Sequence, residues 1–584
     1  MSRLETLLEQ LPDVLPNIWG EGLLFGFSGM DGPTETAGGF VATGQIDPIG
    51  LLFHTPEKRL LEIDIPESAE VRIATGDCLA LRGDFGECII TWAAWHTVIA
   101  AMPESLSLRF GPMNKLRDLP KGKPVTFAAS DEADCIVLWR QKELLSIGYG
   151  TSEEEALERC RGGMTEDPGE TALERLDYLS RVPELENPEE ARLLRKCVSV
   201  IKVNTLWPEG AMKRWWSTPD RVPHRHMWLW DSAFHSLAMN LIDPGMAHSF
   251  LRAVLDRVVT PEEAEALGQP ELAGMIPHCM EISGNHSTIT QPPVLAWAML
   301  ENLKHHEPSD GLDEILERLS SYLQWDMDQR DWNDSHLLEW FIEGDPDCRS
   351  GESGLDNSPR FDSATLLEAV DFSTLASNDM RCLAQLYRHV GDKERGYYWE
   401  DCADETEASI HEKLWNQEEG LYFDRMMSGD LSEVKAVTGF LPLLLKNLPP
   451  ARVPKMQATL KSGDFYTAAR VPSVARSDPN FGTDMWRGPV WYNLNYLIYR
   501  GLNYQECRDS ARELRQNMID IADKYYQQYG VTFEFYDALD QTPPPRCDRK
   551  GPVGDIPYLC GGKMTNIRDY HWTAAILALL LWPH

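Results

Sequence analysis

The feature that most restricts this chain is a change in hydrophobic period partway along it. From about Gly20 to Gly150 apolar residues alternate with polar ones, as in Leu61-Glu62-Ile63-Asp64-Ile65 and Val71-Arg72-Ile73. A period of two sends successive side chains to opposite faces of a strand. Short apolar runs at Ile136–Trp139 and Leu144–Ile147, with Gly or Pro roughly every ten residues, predict an antiparallel sandwich. Between Thr151 and Pro188 the composition turns to Glu, Arg, Gly and Pro, and beyond that the period is helical. In Gln505–Gln527 the apolar residues Cys507, Ala511, Leu514, Met518, Ile521 and Tyr525 share one helix face. The same kind of spacing predicts helices over 188–207, 231–242, 245–259, 292–305, 312–329, 371–390, 393–414, 431–446, 491–500 and 573–581. About eleven or twelve helices with no strands between them must bury their apolar stripes on one another. A closed, double-layered ring of helices is the arrangement expected. The fold class is therefore mainly α: a helical domain over 188–584, preceded by a β-sandwich-like domain over 1–170 with a linker to about 187.

Composition narrows the function. A net charge of −36 argues against nucleic acid or an anionic membrane as partner, because both require a basic surface. Twelve cysteines without a CxxC pair or zinc spacing predict neither a metal site nor a disulfide framework. The first residues are acidic where a signal peptide would be basic, and the longest apolar run, Ala574–Trp582, is too short to span a bilayer. The expectation is a reduced, cytoplasmic protein with no cofactor and no metal, and an acidic surface leaves a small carbohydrate open as partner. A homo-oligomer formed through the N-terminal domain is a further expectation.

The loops of the helical half carry the chemistry. Ser350–Asp362 holds two glycines, a proline and Asp-Asn and Ser-Pro pairs, so it is a loop, and it presents Asp356 beside a tryptophan-rich segment. Trp228-Leu229-Trp230-Asp231 opens one helix, Thr290-Gln291-Pro292 another and Trp486-Arg487-Gly488-Pro489-Val490-Trp491 a third, while Glu534 lies in Phe533–Asp537 and His571-Trp572 begins the last. Aromatic planes beside polar groups suit a sugar, which offers C–H faces and a belt of hydroxyls. Cleaving a glycosidic bond takes an acid and a base, and Asp356 and Glu534 are the pair chosen here. Asp231, Glu352, Asp362, Asp484 and Asp537 compete with them. No GxGxxG, GxxxxGK[ST], HExxH or GxSxG motif supports another chemistry.

Seven motifs in order resemble glycoside hydrolase family 63: His226–Phe234, Gly274–His278, Thr290–Val294, Glu352–Pro359, Trp486–Trp491, Glu534–Asp537 and Trp572–Ala575. The likeness is closest to compact bacterial members acting on glucosylglycerate or mannosylglycerate, and a more distant one is to family 37 trehalases. The resemblance implies an (α/α)6 barrel and an inverting mechanism, with Asp356 as general acid and Glu534 as general base. It also implies that Trp228, Trp230, Asp231, Gln291, Trp486, Arg487, Gly488 and Trp491 line the first sugar subsite. A short α-linked glucoside is the substrate expected; an α-mannoside, a trehalase-type substrate, or a barrel that binds sugar without cleaving it are the alternatives. Gly351 stands where compact relatives carry an aromatic residue, so one pocket wall is expected to be open or supplied from elsewhere, for instance by Trp340.

Overall fold

The computed structural model describes residues 2–583 except 37–38, 67, 130–132, 308–310, 346, 365 and 553–564. Residues 24–150 form two antiparallel sheets, of six and seven strands. Strand Cys135–Gln141 shows how the period of two is used: Ile136 and Leu138 enter the core between the sheets, with Phe40, Phe53, Trp92 and Phe110. Cys135 and Val137 turn the other way, onto Ala156 and Cys160. Those two residues belong to helix α2 (Glu153–Gly163), which follows α1 (Arg3–Leu8) and precedes α3 (Pro168–Leu176). The seven-stranded sheet is thus covered on both faces, as its apolar content on alternate positions requires.

Helix α4 (Pro188–Val203) begins the helical half, with the Asn187 side chain accepting from Glu189 N–H and proline in the first turn. Then come α5 (Leu229–Met239), α6 (Pro244–Leu255), α7 (Pro261–Ala266), α8 (Leu295–Leu303), α9 (Leu312–Arg330), α10 (Val370–His389) and α11 (Lys393–Lys413). After these are α12 (Val453–Leu460), α13 (Tyr492–Tyr504), α14 (Arg508–Tyr529) and α15 (His571–Leu581). Helix α15 packs on α5, α5 on α8, α8 on α10, α10 on the 3-10 segment Val437–Leu444, that segment on α13, and α13 back on α15. These contacts form a closed cycle. Its members are largely buried, α5 at every residue, which is what an inner position demands. The segment predicted as a helix over 431–446 differs: it is 3-10 over Val437–Leu444, because Pro442 inside it lacks an N–H and blocks the α-helical ladder.

Helix α4 ties the two halves together. Its Lys202 Nζ reaches Asp77 at 2.7 Å and Asp31 at 2.9 Å, both in the sheet half. Its Lys196 pairs with Asp569 at 2.8 Å, and Asp569 also accepts from the Leu24 N–H at 2.9 Å. The sheets therefore sit against the helices. No described helix is long and apolar enough to cross a membrane.

Candidate active site

Helices α5, α13 and α15 and the segment before α8 begin around one cavity of about 180 Å³. Trp228, Trp230, Asp231, Gln291, Asp356, Trp486, Trp491 and Glu534 all line it, so eight of the ten residues expected at the site share one space. The local reasons differ from segment to segment. Trp228 caps α5 with extended backbone (φ −120°) and pairs with Cys279 in a short ladder, which holds its indole at the mouth. Asp231 lies in the first turn of α5. Trp486 stacks on Trp491 with centroids 3.8 Å apart and planes 7° from parallel, and Trp491 Nε1 donates to the Met485 carbonyl at 2.8 Å.

The loop carrying Asp356 is locked on either side of it. Glu352, four residues before, is fully buried and accepts from Arg330 Nη2 at 2.7 Å and from the Phe341 and Thr290 N–H groups. Arg360, four residues after, is buried between Asp371 and Asp424, each at 2.7 Å. Gly354 lets the loop cross Trp230: its φ is +70°, and a Cβ there would come within 2.4 Å of Trp230 Cζ2. Asp356 itself is only part-buried, with Oδ2 2.8 Å from Lys550 Nζ. Glu534 is buried and receives the fork of Arg549, Nε to Oε2 at 2.8 Å and Nη2 to Oε1 at 3.1 Å. Burial works against the Arg549 charge, yet Glu534 outweighs it and holds the guanidinium firmly protonated.

The competing carboxylates are occupied. Glu352 is spent on Arg330, Asp362 pairs with Arg487, Asp484 accepts from the Lys550 and Gly551 N–H groups, and Asp537 accepts from the Gln541 and Thr542 N–H groups. Asp231 remains in the cavity. Burial first, and the nearby charges of Asp220 and Glu534 after it, push its carboxyl well above the usual range. Asp231 Oδ1, Trp228 Nε1 and Trp572 Nε1 are buried without a hydrogen-bond partner among the described residues.

Arg487 and Gly488 do not line the cavity. The Arg487 guanidinium turns to Asp362 and donates to the Asn357 carbonyl at 2.8 Å. Gly488 approaches Gly482 so closely that a Cβ would meet its carbonyl oxygen at 2.1 Å. Both shape the wall from behind. Trp340 does not replace the missing aromatic at Gly351: it is buried, stacked on Phe372 at 3.8 Å, with Nε1 on Asp371. Gly351 lines the cavity itself, with His278, Tyr570 and Trp572 as further aromatic lining. Burial lowers the His278 imidazole to about 4, so the ring is neutral at neutral pH. His278 and Trp572 stand inside sequence motifs, so a signal for them existed. Arg549 and Lys550 belong to no motif.

Carboxyl groups and tryptophans thus converge on one cavity at the starts of α5, α13 and α15. The mannosylglycerate hydrolase MGH1-like glycoside hydrolase domain matches residues 224–573, and the chain belongs to this family, within glycoside hydrolase family 63. An uncharacterized Borreliella burgdorferi protein is 25% identical over 259 residues, 43% of this chain and 52% of that protein, so the chain spans about half of that relative's length. A mannosylglycerate hydrolase from Rubrobacter radiotolerans is 24% identical over 392 residues, 53% of this chain and 86% of that one. The crystal structure of a GH63 mannosylglycerate hydrolase from Thermus thermophilus in complex with glucose superposes with a TM-score of 0.52 at 22% identity, covering 67% of this chain and 99% of that one. That last likeness speaks for the fold.

Proposed function

We propose that this glycoside hydrolase cleaves a short α-linked glycoside with inversion, on an (α/α)6 barrel whose inner layer is the closed cycle of helices. Asp356 gives a proton to the glycosidic oxygen, and Glu534 takes one from the water that attacks the opposite ring face. Arg549 orients Glu534 through its two-pronged contact, which leaves the carboxylate little freedom to turn. The tryptophan planes receive the sugar's C–H faces, while Asp231 and Gln291 hold hydroxyls. Arg487 and Gly488 act one layer out, by fixing Trp486 and Trp491. We read residues 1–187 as a separate unit that braces the barrel through α4.

One observation supports this reading above the others: Asp356 and Glu534 line the same cavity as Asp231, Trp228 and Trp572. The motifs fit glucosylglycerate- and mannosylglycerate-acting members alike, a glucoside is the substrate expected, and two relatives are named for mannosylglycerate, so both sugars belong in the test. Purified protein is incubated with α-glucosides and α-mannosides of glycerol, glyceric acid and simple sugars, and the first product anomer is followed by proton NMR. Inversion yields the β-anomer first. An α-anomer first would defeat inversion, and binding without turnover would reduce the protein to a sugar-binding barrel.

A further inference from the structure

The turn over residues 218–225 carries two cavity residues, Pro219 and His224. Its first half is held by the barrel. The His571 N–H at the start of α15 donates to the Pro219 carbonyl at 2.8 Å, and His571 Nδ1 lies 3.0 Å from the Thr218 carbonyl. Its second half is seated in the sheets. Arg221 is buried, and its Nη1 donates to the Phe27 carbonyl at 2.6 Å and more weakly to the Val203 carbonyl at 3.4 Å. Val222 is buried with Leu24 and Val41 of the sheet half and Val203 of α4. Gly26 makes room for this contact, since a Cβ there would come within 2.9 Å of Arg221 Nη1. The segment that receives the turn is itself tied down: the Thr36 N–H donates to Glu209 Oε2 at 2.8 Å, and Trp215 Nε1 donates to the Gly29 carbonyl at 3.0 Å.

Asp220, also buried, accepts from the His224 N–H at 3.1 Å through Oδ1, and its Oδ2 lies 2.7 Å from His224 Nδ1. A carboxylate beside Nδ1 places the ring proton there, which leaves Nε2 as the nitrogen available to the cavity. The same ring meets the Trp228 indole edge-on, with centroids 5.8 Å apart. Four residues separate Asp220 from His224, and the chain between them runs through Arg221 and Val222. The direction of the imidazole therefore depends on how those two are seated. Apolar burial has no direction, so Val222 alone would hold the turn without orienting it. The Arg221 donor on a fixed carbonyl supplies the orientation. The family match begins at residue 224, so this anchor and the sheets beneath it lie outside the matched span.

We propose that Arg221 is a positioning residue through which the sheet half sets one wall of the substrate cavity: seated on the Phe27 carbonyl, it fixes the turn that aims His224 at the bound sugar. The proposal rests on the hydrolase reading for the use of the cavity and adds no chemical step to it. With the α-glycoside that the wild type cleaves best, His224→Ala and Arg221→Met should each raise KM about 3- to 10-fold with kcat less affected, as loss of one hydrogen bond to bound substrate predicts. Because both act through one contact, the double variant should be no worse than the poorer single one. Arg221→Lys, which keeps a donor for Phe27, should recover most of the loss. Gly26→Ala, made in the sheet half and outside the cavity lining, should move KM the same way. Hydrogen–deuterium exchange, read without substrate, should show residues 220–226 of Arg221→Met exchanging faster while α5 and α13 keep wild-type protection. Multiplying effects in the double variant overturn the proposal, as does a folded Arg221→Met with either wild-type KM or wild-type exchange. If no glycoside is cleaved, the hydrolase reading falls and the exchange data decide the positioning. Should Arg221→Met fail to fold, Gly26→Ala decides by the same two readouts.

Discussion

The ion pairs that hold the scaffold and those in the cavity use the same residue types but differ in what they leave over. Arg360 is enclosed by Asp371 and Asp424, and these carboxylates also accept from Trp340 Nε1 and the Val370 N–H, so each acceptor is used more than once. Lys202 and Lys196 of α4 are similarly enclosed against Asp77 and Asp569. Lys550 and Asp356, by contrast, meet through one contact with part of each group open. A buried pair with every acceptor satisfied resists separation, because either charge left alone carries its full desolvation cost. A half-open pair can trade one partner for another. The loop Ser350–Asp362 contains both kinds, Glu352 and Arg360 fixed on either side and Asp356 available between them. That is how a residue can be both well placed and free to react.

The contrast can be broken at several points. Asp356→Ala and Glu534→Ala are expected to lower kcat on the order of 10²- to 10⁴-fold, with the melting temperature near that of the wild type for part-open Asp356→Ala and lowered for Glu534→Ala, which takes the carboxylate away from the buried Arg549 charge; steady-state kinetics beside a thermal melt checks both, and retained turnover in either would remove that residue from catalysis. Arg360→Met should do the reverse of a site mutation. It strands two buried carboxylates and is expected to cost about 3–5 kcal/mol in urea unfolding, and a near-neutral result would mean the scaffold pairs are not distinct from those of the cavity. Gly354→Ala lies between the two: a Cβ against Trp230 at positive φ should cost about 1–3 kcal/mol and also weaken turnover by shifting that indole.

The remaining effect is electrostatic and reads out against pH. Asp379 accepts from the Ala296 and Trp297 N–H groups at the start of α8, and burial raises its carboxyl from 3.8 to about 7. The folded state thus binds this proton more tightly than the unfolded state does. Asp379 costs nothing below pH about 4, and its cost grows as pH rises to about 7. Unfolding free energies of wild type and Asp379→Asn across that range should converge or cross as pH rises, and parallel curves would refute the assignment.

Much of the site was legible because its parts are contiguous motifs. Trp228–Asp231 and Trp486–Trp491 each set an aromatic beside a polar group in a few residues, Glu352–Asp356 sets two carboxyl groups in one loop, and loop-breaking residues marked where that loop lies. Asp356 and Glu534 were legible as candidates for the same reason. Arg487 and Gly488 looked like part of the lining but stand behind it, since a motif tells which residues travel together and not which way each one faces. The 3-10 run at Val437–Leu444 escaped the helical pattern because periodicity reads apolar spacing and Pro442 acts through a missing N–H.

Residue order alone dictates the two kinds of secondary structure, their succession, and the loops where reactive groups gather, because strand and helix periods and turn residues are local properties of the chain. Which carboxylates open into the cavity is settled only by packing in three dimensions. Glu352, Asp362, Asp484 and Asp537 are chemically as able as Asp356, and distant partners such as Arg330, Arg487 and the Lys550 backbone occupy them. The same packing brings Lys550 to Asp356 and Arg549 to Glu534. Pairing of charges depends on position in space, and no spacing along a chain encodes that.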